Sequence, residues 1–188
     1  MSFSIDTFRG SALAKGGARA NLFEVGITGS AVQKFALNTT EFNFSCKAAA
    51  IPAMAVGTID VPYFGRVVKV PGNKTFDNWT VTIINDEGFA IRNGFEKWIA
   101  AMGTHVNNVV EVGGGGLGVD SLYGDATVTH FGKKGPTETL AAYVFKNIFP
   151  VSMSEIALGW DANDAIEEFT VEFAYDYWTH GAIVSATA

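Results

Sequence analysis

A run of four glycines, Gly113 to Gly116, is the first candidate for chemistry in this chain. Glycine-rich loops can cradle phosphate groups, but a P-loop needs Gly-Lys-Ser/Thr directly after the glycines, at the start of a helix. Leu117 to Val119 follow here instead. The run therefore predicts a flexible insertion, and the whole stretch from Gly103 to Asp120 is typical of a loop.

A second candidate begins at Asp161. The four residues from Asp161 to Asp164 resemble the opening of a calcium-binding loop, and Glu172 falls at the twelfth position. However, the fifth position is Ala165, which cannot bind a cation, and the sixth is Ile166, where such a loop needs glycine. The segment predicts a turn that leads into the last strand.

The histidines and the single cysteine form no recognisable site. His105, His130 and His180 are far apart and lack the spacing of metal ligands. Cys46 can form neither an intrachain disulfide nor a thiolate cluster. A triad assembled by the fold stays open, because triads are recognised by geometry, but no nucleophile-elbow motif is present. We expect no enzyme, no cofactor and no metal site.

Charged residues are scarce. They make up 17% of the 188 residues, against about 25% in an average soluble domain, and 48% of the residues are hydrophobic. The longest weakly polar stretch, Ala48 to Gly57, contains Pro52 and is far shorter than the roughly 20 residues of a spanning helix. We therefore expect no membrane association, but a protein that hides much of its surface against other subunits.

The net charge and the N-terminal sequence disfavour two further classes, nucleic-acid-binding proteins and secreted proteins. A net charge of −6 disfavours specific binding to nucleic acid, because phosphate contacts need clustered Lys and Arg. The stretch from Met1 to Gly10 has neither a basic region nor a continuous apolar region, so it does not resemble a secretion signal. We expect synthesis in the cytoplasm.

Alternating apolar and polar residues predict a mainly β fold. The clearest strand is Phe169 to Tyr177, closed by Trp178, and a second half-buried strand is predicted over Thr40 to Ala48. Weaker patterns predict five further strands: Ala20 to Ile27, Arg66 to Val70, Trp79 to Ile84, Leu122 to Phe131 and Leu140 to Phe149.

One segment has helical periodicity. Ile91, Phe95, Trp98 and Met102 form one apolar stripe, which predicts a helix from about Glu87 to Met102 with Asn85 or Asp86 as its N-cap. Strands before and after a single helix predict an α+β, mainly β domain, a two-layer sandwich or barrel with one flanking helix.

The stretch from Ala49 to Pro62 is loop-like, yet it is apolar. Surface connections are normally polar, so an apolar one suggests burial against another subunit. Its apolar residues, with the two that follow, are Ile51, Met54, Val56, Ile59, Tyr63 and Phe64.

The most specific signal is a series of motifs in a fixed order. They are Asn21-Leu22-Phe23, Phe44-Ser45-Cys46-Lys47-Ala48, Gly72-Asn73-Lys74-Thr75-Phe76-Asp77-Asn78-Trp79-Thr80-Val81-Thr82, Asn85-Asp86-Glu87, Phe149-Pro150, Leu158-Gly159-Trp160-Asp161 and Asp176-Tyr177-Trp178. Through them the chain resembles the tail tube proteins of contractile-tailed, T4-like bacteriophages over Ala20 to Trp178. It departs from that pattern in Thr28 to Thr39, in Gly103 to Asp120 and in the tail after Trp178.

The resemblance implies a barrel-like antiparallel subunit with a long projecting hairpin. It implies hexameric rings that stack helically into a tube inside a contractile sheath, with baseplate and tail terminator proteins as further partners. DNA would pass through the lumen without specific binding, and the protein would be part of the virion, assembled in the host cytoplasm. The hairpin, Ala49 to Pro71, would contact the next ring through the six apolar residues named above.

Residues on the polar strand faces are candidates for the wall of the lumen, where acidic groups would repel DNA. They are Glu41, Asn43, Ser45, Glu172 and Asp176. We expect one domain over residues 1–188, with a core of about 20–178 and an extension over 179–188. Two alternatives remain: the inner tube of a contractile injection system that delivers protein, and a ligand-binding β-sandwich.

Overall fold

The computed structural model describes residues 4–11, 13–14, 16–104, 110, 119–161 and 163–181. The helices are α1 (Ile5–Ser11), α2 (Ser30–Lys34), α3 (Thr39–Ser45) and α4 (Ala90–Ala101), with a 3-10 turn at Val119–Leu122. The strands are β1 (Phe23–Thr28), β2 (Cys46–Ala49), β3 (Ala55–Tyr63), β4 (Arg66–Thr75), β5 (Trp79–Ile84), β6 (Gly124–Gly132), β7 (Gly135–Met153), β8 (Glu168–Ala174) and β9 (Tyr177–Gly181).

Seven strands form the main sheet. Six of them follow the order β1-β6-β7-β8-β5-β2, and the seventh, β9, pairs with β7. All pairs are antiparallel. β7 is the longest strand and has three partners. β6 pairs with it from Gly135 to Ile148, β9 from Ala142 to Lys146 and β8 from Phe149 to Met153. β3 and β4 form a separate hairpin. The mainly antiparallel α+β fold class is confirmed.

The core joins α4 to the inward face of the sheet. Trp79 stacks on Phe145 with ring centroids 4.5 Å apart, and Phe95 meets Phe173 edge to face at 5.7 Å. The Trp98 indole is buried and donates a 2.7 Å hydrogen bond to the Leu122 carbonyl. The predicted apolar stripe of α4 is thus confirmed as its buried face.

α4 begins later than predicted. Its N-cap is Phe89, in the left-handed region at φ 52°, whereas Asp86 caps the turn before the helix by accepting from the Gly88 N–H at 3.1 Å. Asn85 is buried and donates to the Glu167 carboxylate at 2.9 Å. Because its side chain bonds to Glu167, Asn85 does not cap the helix as predicted.

The strand predicted over Thr40 to Ala48 is wrong for its first six residues, which belong to α3. Asn38 caps this helix through its side chain, which accepts from the N–H groups of Thr40 and Glu41. Phe42 is buried, whereas Phe44, predicted on the same buried face, is 85% exposed. Only Cys46–Ala49 form a strand, β2.

Other strand predictions hold with shifted ends. β5 has the predicted bounds, and Phe169, Val171 and Phe173 of β8 are buried as the alternation indicates. The last predicted strand, however, breaks at Tyr175 and Asp176, and Trp178 lies within β9 instead of closing β8. The segment from Ala55, predicted as part of a loop, is a strand of the hairpin.

Some predictions fall outside the described residues: the glycine run Gly113 to Gly116, His105, and the tail from Ala182. The expectation of a single domain over the whole chain stays a prediction. Within the described part of the chain, no helix has the length and apolar character needed to cross a membrane.

Candidate assembly surfaces

The hairpin of β3 and β4 exposes apolar side chains along its whole length. Every residue of the two strands is exposed apart from the half-exposed Gly72. Residues directly opposite each other share one face of an antiparallel pair. One face therefore carries three cross-strand pairs: Ile59 with Val70, Val61 with Val68, and Tyr63 with Arg66.

The other face of the hairpin is more polar. Asp60 and Lys69 lie opposite each other and form a 3.9 Å ion pair. Across residues 55–75 the hairpin has three basic side chains, Arg66, Lys69 and Lys74, against the single acid Asp60. The hairpin is therefore cationic although the chain as a whole is acidic.

The tip of the hairpin is a two-residue turn. Phe64 and Gly65 both have positive φ, 41° and 79°, the backbone of a type I′ turn. Asn or Asp is usual at the first of these positions, whereas here a phenylalanine side chain is 92% exposed and meets the Tyr63 ring edge to face. A strained and exposed aromatic residue at a tip indicates a contact surface.

Two tryptophans hold the segment that leads into the hairpin. The Trp79 indole donates to the Ala50 carbonyl at 2.9 Å, and the Trp178 indole donates to the Ala53 carbonyl at 3.3 Å. Trp79 is buried in the core, so the direction of the hairpin is tied to the packing of the main sheet.

Ile51, Met54 and Val56, the other predicted stacking residues, are also exposed, beside Ile59, Tyr63 and Phe64. The structure thus places all six on or next to the hairpin. Val61, Val68 and Val70 lie on the same surface but were not among the predicted residues, although the alternation Ile59-x-Val61-x-Tyr63 indicates a strand with one apolar face.

Glu172 lies on the outward face of β8, next to Thr80 of β5 in the register. Its carboxylate accepts hydrogen bonds from Asn78 at 2.9 Å and from Ser152 at 3.0 Å. Hydrogen bonds from Asn78 and then Ser152 stabilise the charged form and lower the pKa of Glu172 below its ordinary value. The carboxylate is therefore held in place as an anion on this face.

Asp176 lies at the corner between β8 and β9. Its carboxylate accepts a 2.6 Å hydrogen bond from the Asn147 side chain, and its N–H donates to the Lys146 carbonyl at 3.1 Å. Lys146 also forms a 2.6 Å ion pair with Asp125, and this pair raises the pKa of the Lys146 ammonium. The corner is thus a polar network that holds the bend of β7.

Glu41, Asn43 and Ser45 lie on α3 and share no strand with Glu172 or Asp176. α3 packs beside β1, and the Asn43 amide donates to the Glu24 carboxylate at 3.2 Å. The alternation that grouped these three residues as one strand face is therefore wrong, because a helix turns Glu41 and Asn43 to different sides.

Several strand edges lack a partner strand within the described chain. β1 and β2 end the order of the main sheet, and β9 pairs on one side only. Unpaired edges present rows of N–H and C=O groups that can pair with another chain. They are candidates for contacts between copies.

No group of three or more His, Cys, Asp or Glu that could bind a metal occurs in the part of the chain that the structure describes. Cys46 is partly buried, and burial raises the pKa of its thiol to about 12. A thiol with such a pKa is a poor nucleophile near neutral pH.

The comparisons with known proteins agree with this picture. The family model for the phage tail tube protein matches residues 18–181. The tail tube protein gp19 of Enterobacteria phage T4 is 34% identical over 161 residues, which are 86% of this chain and 90% of that protein. The gp19 protein of Enterobacteria phage T6 is similar to the same extent.

Two solved structures share the fold. A chain of the cryo-EM structure of the anti-feeding prophage cap has a TM-score of 0.63 and 19% identity, with 88% of this chain and 91% of that chain covered. A chain of the sheath-tube complex of an extracellular contractile injection system has a TM-score of 0.59 and 18% identity, with 97% and 100% covered. The chain therefore belongs to the phage tail tube protein family and is a structural component of the virion tail.

Proposed function

We propose that six copies of this chain close into a ring, and that the rings stack into a hollow tube that conducts DNA inside a contractile sheath. The observation that carries the proposal is the β3–β4 hairpin, a projecting element whose apolar face is covered by nothing within the described chain. Such a face is unfavourable in water, so it needs a partner in the assembled state.

The six apolar residues Ile51, Met54, Val56, Ile59, Tyr63 and Phe64 form the inter-ring contact in this proposal. Their exposure supports it, because an apolar surface of this kind gains free energy when a second ring removes it from water. Contacts within a ring close by rotation, whereas contacts along the axis remain open and extend the tube.

Ring closure uses the unpaired edges of the main sheet. If the edge strands of neighbouring copies pair, the six sheets join into one closed wall without free edges, as in a barrel. The free edges of β1, β2 and β9 support this arrangement.

The lumen wall is polar in this proposal. Glu172, on the outward face of β8 and kept charged by its hydrogen bonds, is the best-supported lumen residue. Asp176 is a second candidate, and Glu41, Asn43 and Ser45 on α3 remain candidates from another element. An acidic wall repels DNA and lets it slide without binding.

The sheath, baseplate and tail terminator proteins are the proposed partners of the tube. Support comes from the fold likeness to a chain from a sheath-tube complex and to one from a tube-terminating cap. DNA rather than protein is the proposed cargo, because the relatives with 34% identity are phage tail tube proteins.

Electron microscopy of the purified chain tests the proposal. We expect hollow tubes or sixfold rings once the concentration passes a threshold. Dispersed globular particles at high concentration would contradict it. A ring structure in which Glu172 is buried between copies would contradict its assignment to the lumen and leave the tube intact.

A further inference from the structure

An acidic surface lies at the opposite end of β5 from the hairpin. The hairpin joins the sheet just before Trp79, the first residue of β5, whereas the last residue, Ile84, lies opposite Glu168. The segment 154–168 begins and ends at this far end, since the Ser154 N–H bonds to the Thr170 carbonyl and the Asn85 N–H bonds to the Glu167 carbonyl.

The charge of this segment is the reverse of the charge of the hairpin. Residues 154–168 contain no Lys or Arg and five acids: Glu155, Asp161, Asp164, Glu167 and Glu168. Two cations approach it from other elements: Lys47 pairs with Glu168 at 2.5 Å, and Arg92 pairs with Glu96 at 3.2 Å and donates to the Ser154 carbonyl. Several carboxylates are therefore left for an external partner.

The same segment contains a groove with a mixed apolar and polar lining. A cavity of about 270 Å³ lies between residues 156–159 and 165–168. Leu158 and Ile166, which line it, are 81% and 72% exposed, and Glu167 and Glu168 also line it. Two large aliphatic side chains beside carboxylates make a site suited to an apolar group that is followed by a cation.

We propose that this groove, here called the receiving groove, binds the hairpin tip of a second copy of the chain in the adjoining ring. The inference rests on the proposed tube and names the surface that the hairpin contacts. The exposed Phe64 ring packs against Leu158 and Ile166, while the Arg66 guanidinium, two residues on, pairs with the carboxylate of Glu167. Glu168 already pairs with Lys47 of its own copy. A charge-assisted pair at the rim also fixes the register of the contact.

The positions of the two surfaces explain why such a contact produces a filament. Each copy has its hairpin at one end of β5 and its receiving groove at the other. A copy therefore donates a hairpin to one neighbour and receives one from the opposite neighbour. A head-to-tail contact extends as an open filament when its rotation does not close a ring, and donor and acceptor surfaces at opposite ends of a copy direct this repeat along one axis.

Cross-linking within assembled tubes tests this contact without removing its central residues. Val67 lies just past the tip, and Ala157 lines the groove; both are exposed. Tubes of a Val67→Cys/Ala157→Cys variant are treated with a short bis-maleimide and analysed on a denaturing gel. Cys46 contributes little background, because burial raises the pKa of its thiol to about 12, and a Cys46→Ser background removes it.

A ladder of covalently linked subunits is expected from the two-cysteine variant, because every copy is linked to two neighbours. A mixture of the two single variants should yield linked pairs and no ladder. The matched control Val67→Cys/Phe44→Cys, which moves the second thiol to the exposed face of α3, should yield no ladder.

A second two-cysteine variant, Val67→Cys/Ala165→Cys, probes the opposite wall of the groove. Tubes that contain either pair and do not cross-link overturn the receiving groove and leave the proposed tube intact. Linked pairs from Val67→Cys alone would also overturn it, because they would show hairpin tips meeting each other. If the unchanged chain forms no tubes at all, the proposed function fails instead.

Discussion

The Asn147 side chain donates a 2.6 Å hydrogen bond to the carboxylate of Asp176, across the corner where β8 ends and β9 begins. Asn147 has a positive φ of 57° in the interior of β7, and its N–H donates to Asp125 at 3.3 Å. This pair lets one long strand serve two partner strands on the same side.

We predict that Asn147→Ala destabilises the fold more than Asn147→Gly. Both variants lose the bond to Asp176. The left-handed backbone also lowers the stability of the alanine variant by about 1–2 kcal/mol, whereas glycine adopts it freely. Urea unfolding of the unassembled chain measures the difference. Equal free energies of unfolding for the two variants would contradict a strained corner.

Gly94, in the middle of α4, has a packing role. A methyl group added there would lie 2.7 Å from Leu37 Cδ2 and 2.9 Å from Leu37 Cγ. Gly94→Ala gains about 1 kcal/mol of helix propensity, but overpacking costs about 1–3 kcal/mol. We expect net destabilisation in urea unfolding.

The second substitution Leu37→Ala should relieve this clash. The double variant is then expected to be more stable than the sum of the two single changes predicts. A Gly94→Ala chain that is more stable than the unchanged chain would show that Leu37 moves aside at no cost.

The sequence predicts elements well where burial alone decides the pattern. Trp79, Val81 and Ile83 alternate because one face of β5 is buried, and the predicted bounds of that strand are correct. Phe42 and Phe44 imitate the same alternation, but the Asn38 cap starts a helix there. In a segment this short, the apolar pattern alone does not distinguish the strand period of two residues from the helical period of 3.6.

The stacking surface of the hairpin could be predicted only in part, because local sequence contains some of the signal. An apolar stretch after Ala49 indicates a contact surface from composition alone. Which residues share its face depends on the register of Ile59 with Val70, and the groove depends on Leu158 meeting Ile166 across a loop. The Asn147–Asp176 bond likewise joins residues 29 positions apart, so no local pattern contains it.

Glu172 gives stability a predictable dependence on pH. Its pKa in the folded chain is below the ordinary 4.5, so its contribution is present above the unfolded pKa and is lost as pH falls through the folded pKa. Glu172→Gln should flatten this loss of stability below about pH 4.5. Urea midpoints measured across that range test it, and an unchanged pH profile in the variant would contradict the role given to Asn78 and Ser152.

Trp178→Phe should weaken assembly more than folding. The variant keeps an aromatic ring beside Tyr143 but loses the 3.3 Å bond to the Ala53 carbonyl, which helps to direct the hairpin. The lost bond costs about 1 kcal/mol of stability. The critical concentration for tubes, measured by sedimentation, should rise severalfold, whereas the control Tyr143→Phe leaves the bond and should change it little.

Phe64→Asp should abolish stacking and leave the monomer folded. The residue is 92% exposed, so its side chain adds little to the packing of one copy. In an inter-ring contact, however, a carboxylate would be desolvated beside Glu167 and Glu168, and central aromatic contacts of this kind contribute about 2 kcal/mol or more, roughly a 30-fold rise in critical concentration. Tyr63→Asp, next to the tip, should act in the same direction.

Phe44→Asp is the matched control, because Phe44 is 85% exposed but lies on α3. Sedimentation and electron microscopy should show tubes from this control and none from Phe64→Asp at the same concentration, with equal urea midpoints for the two unassembled chains. Because both changes replace an exposed phenylalanine by aspartate, a difference in assembly reports the position of the residue, not its solubility. Normal tubes from both Phe64→Asp and Tyr63→Asp would remove the hairpin tip from the stacking contact.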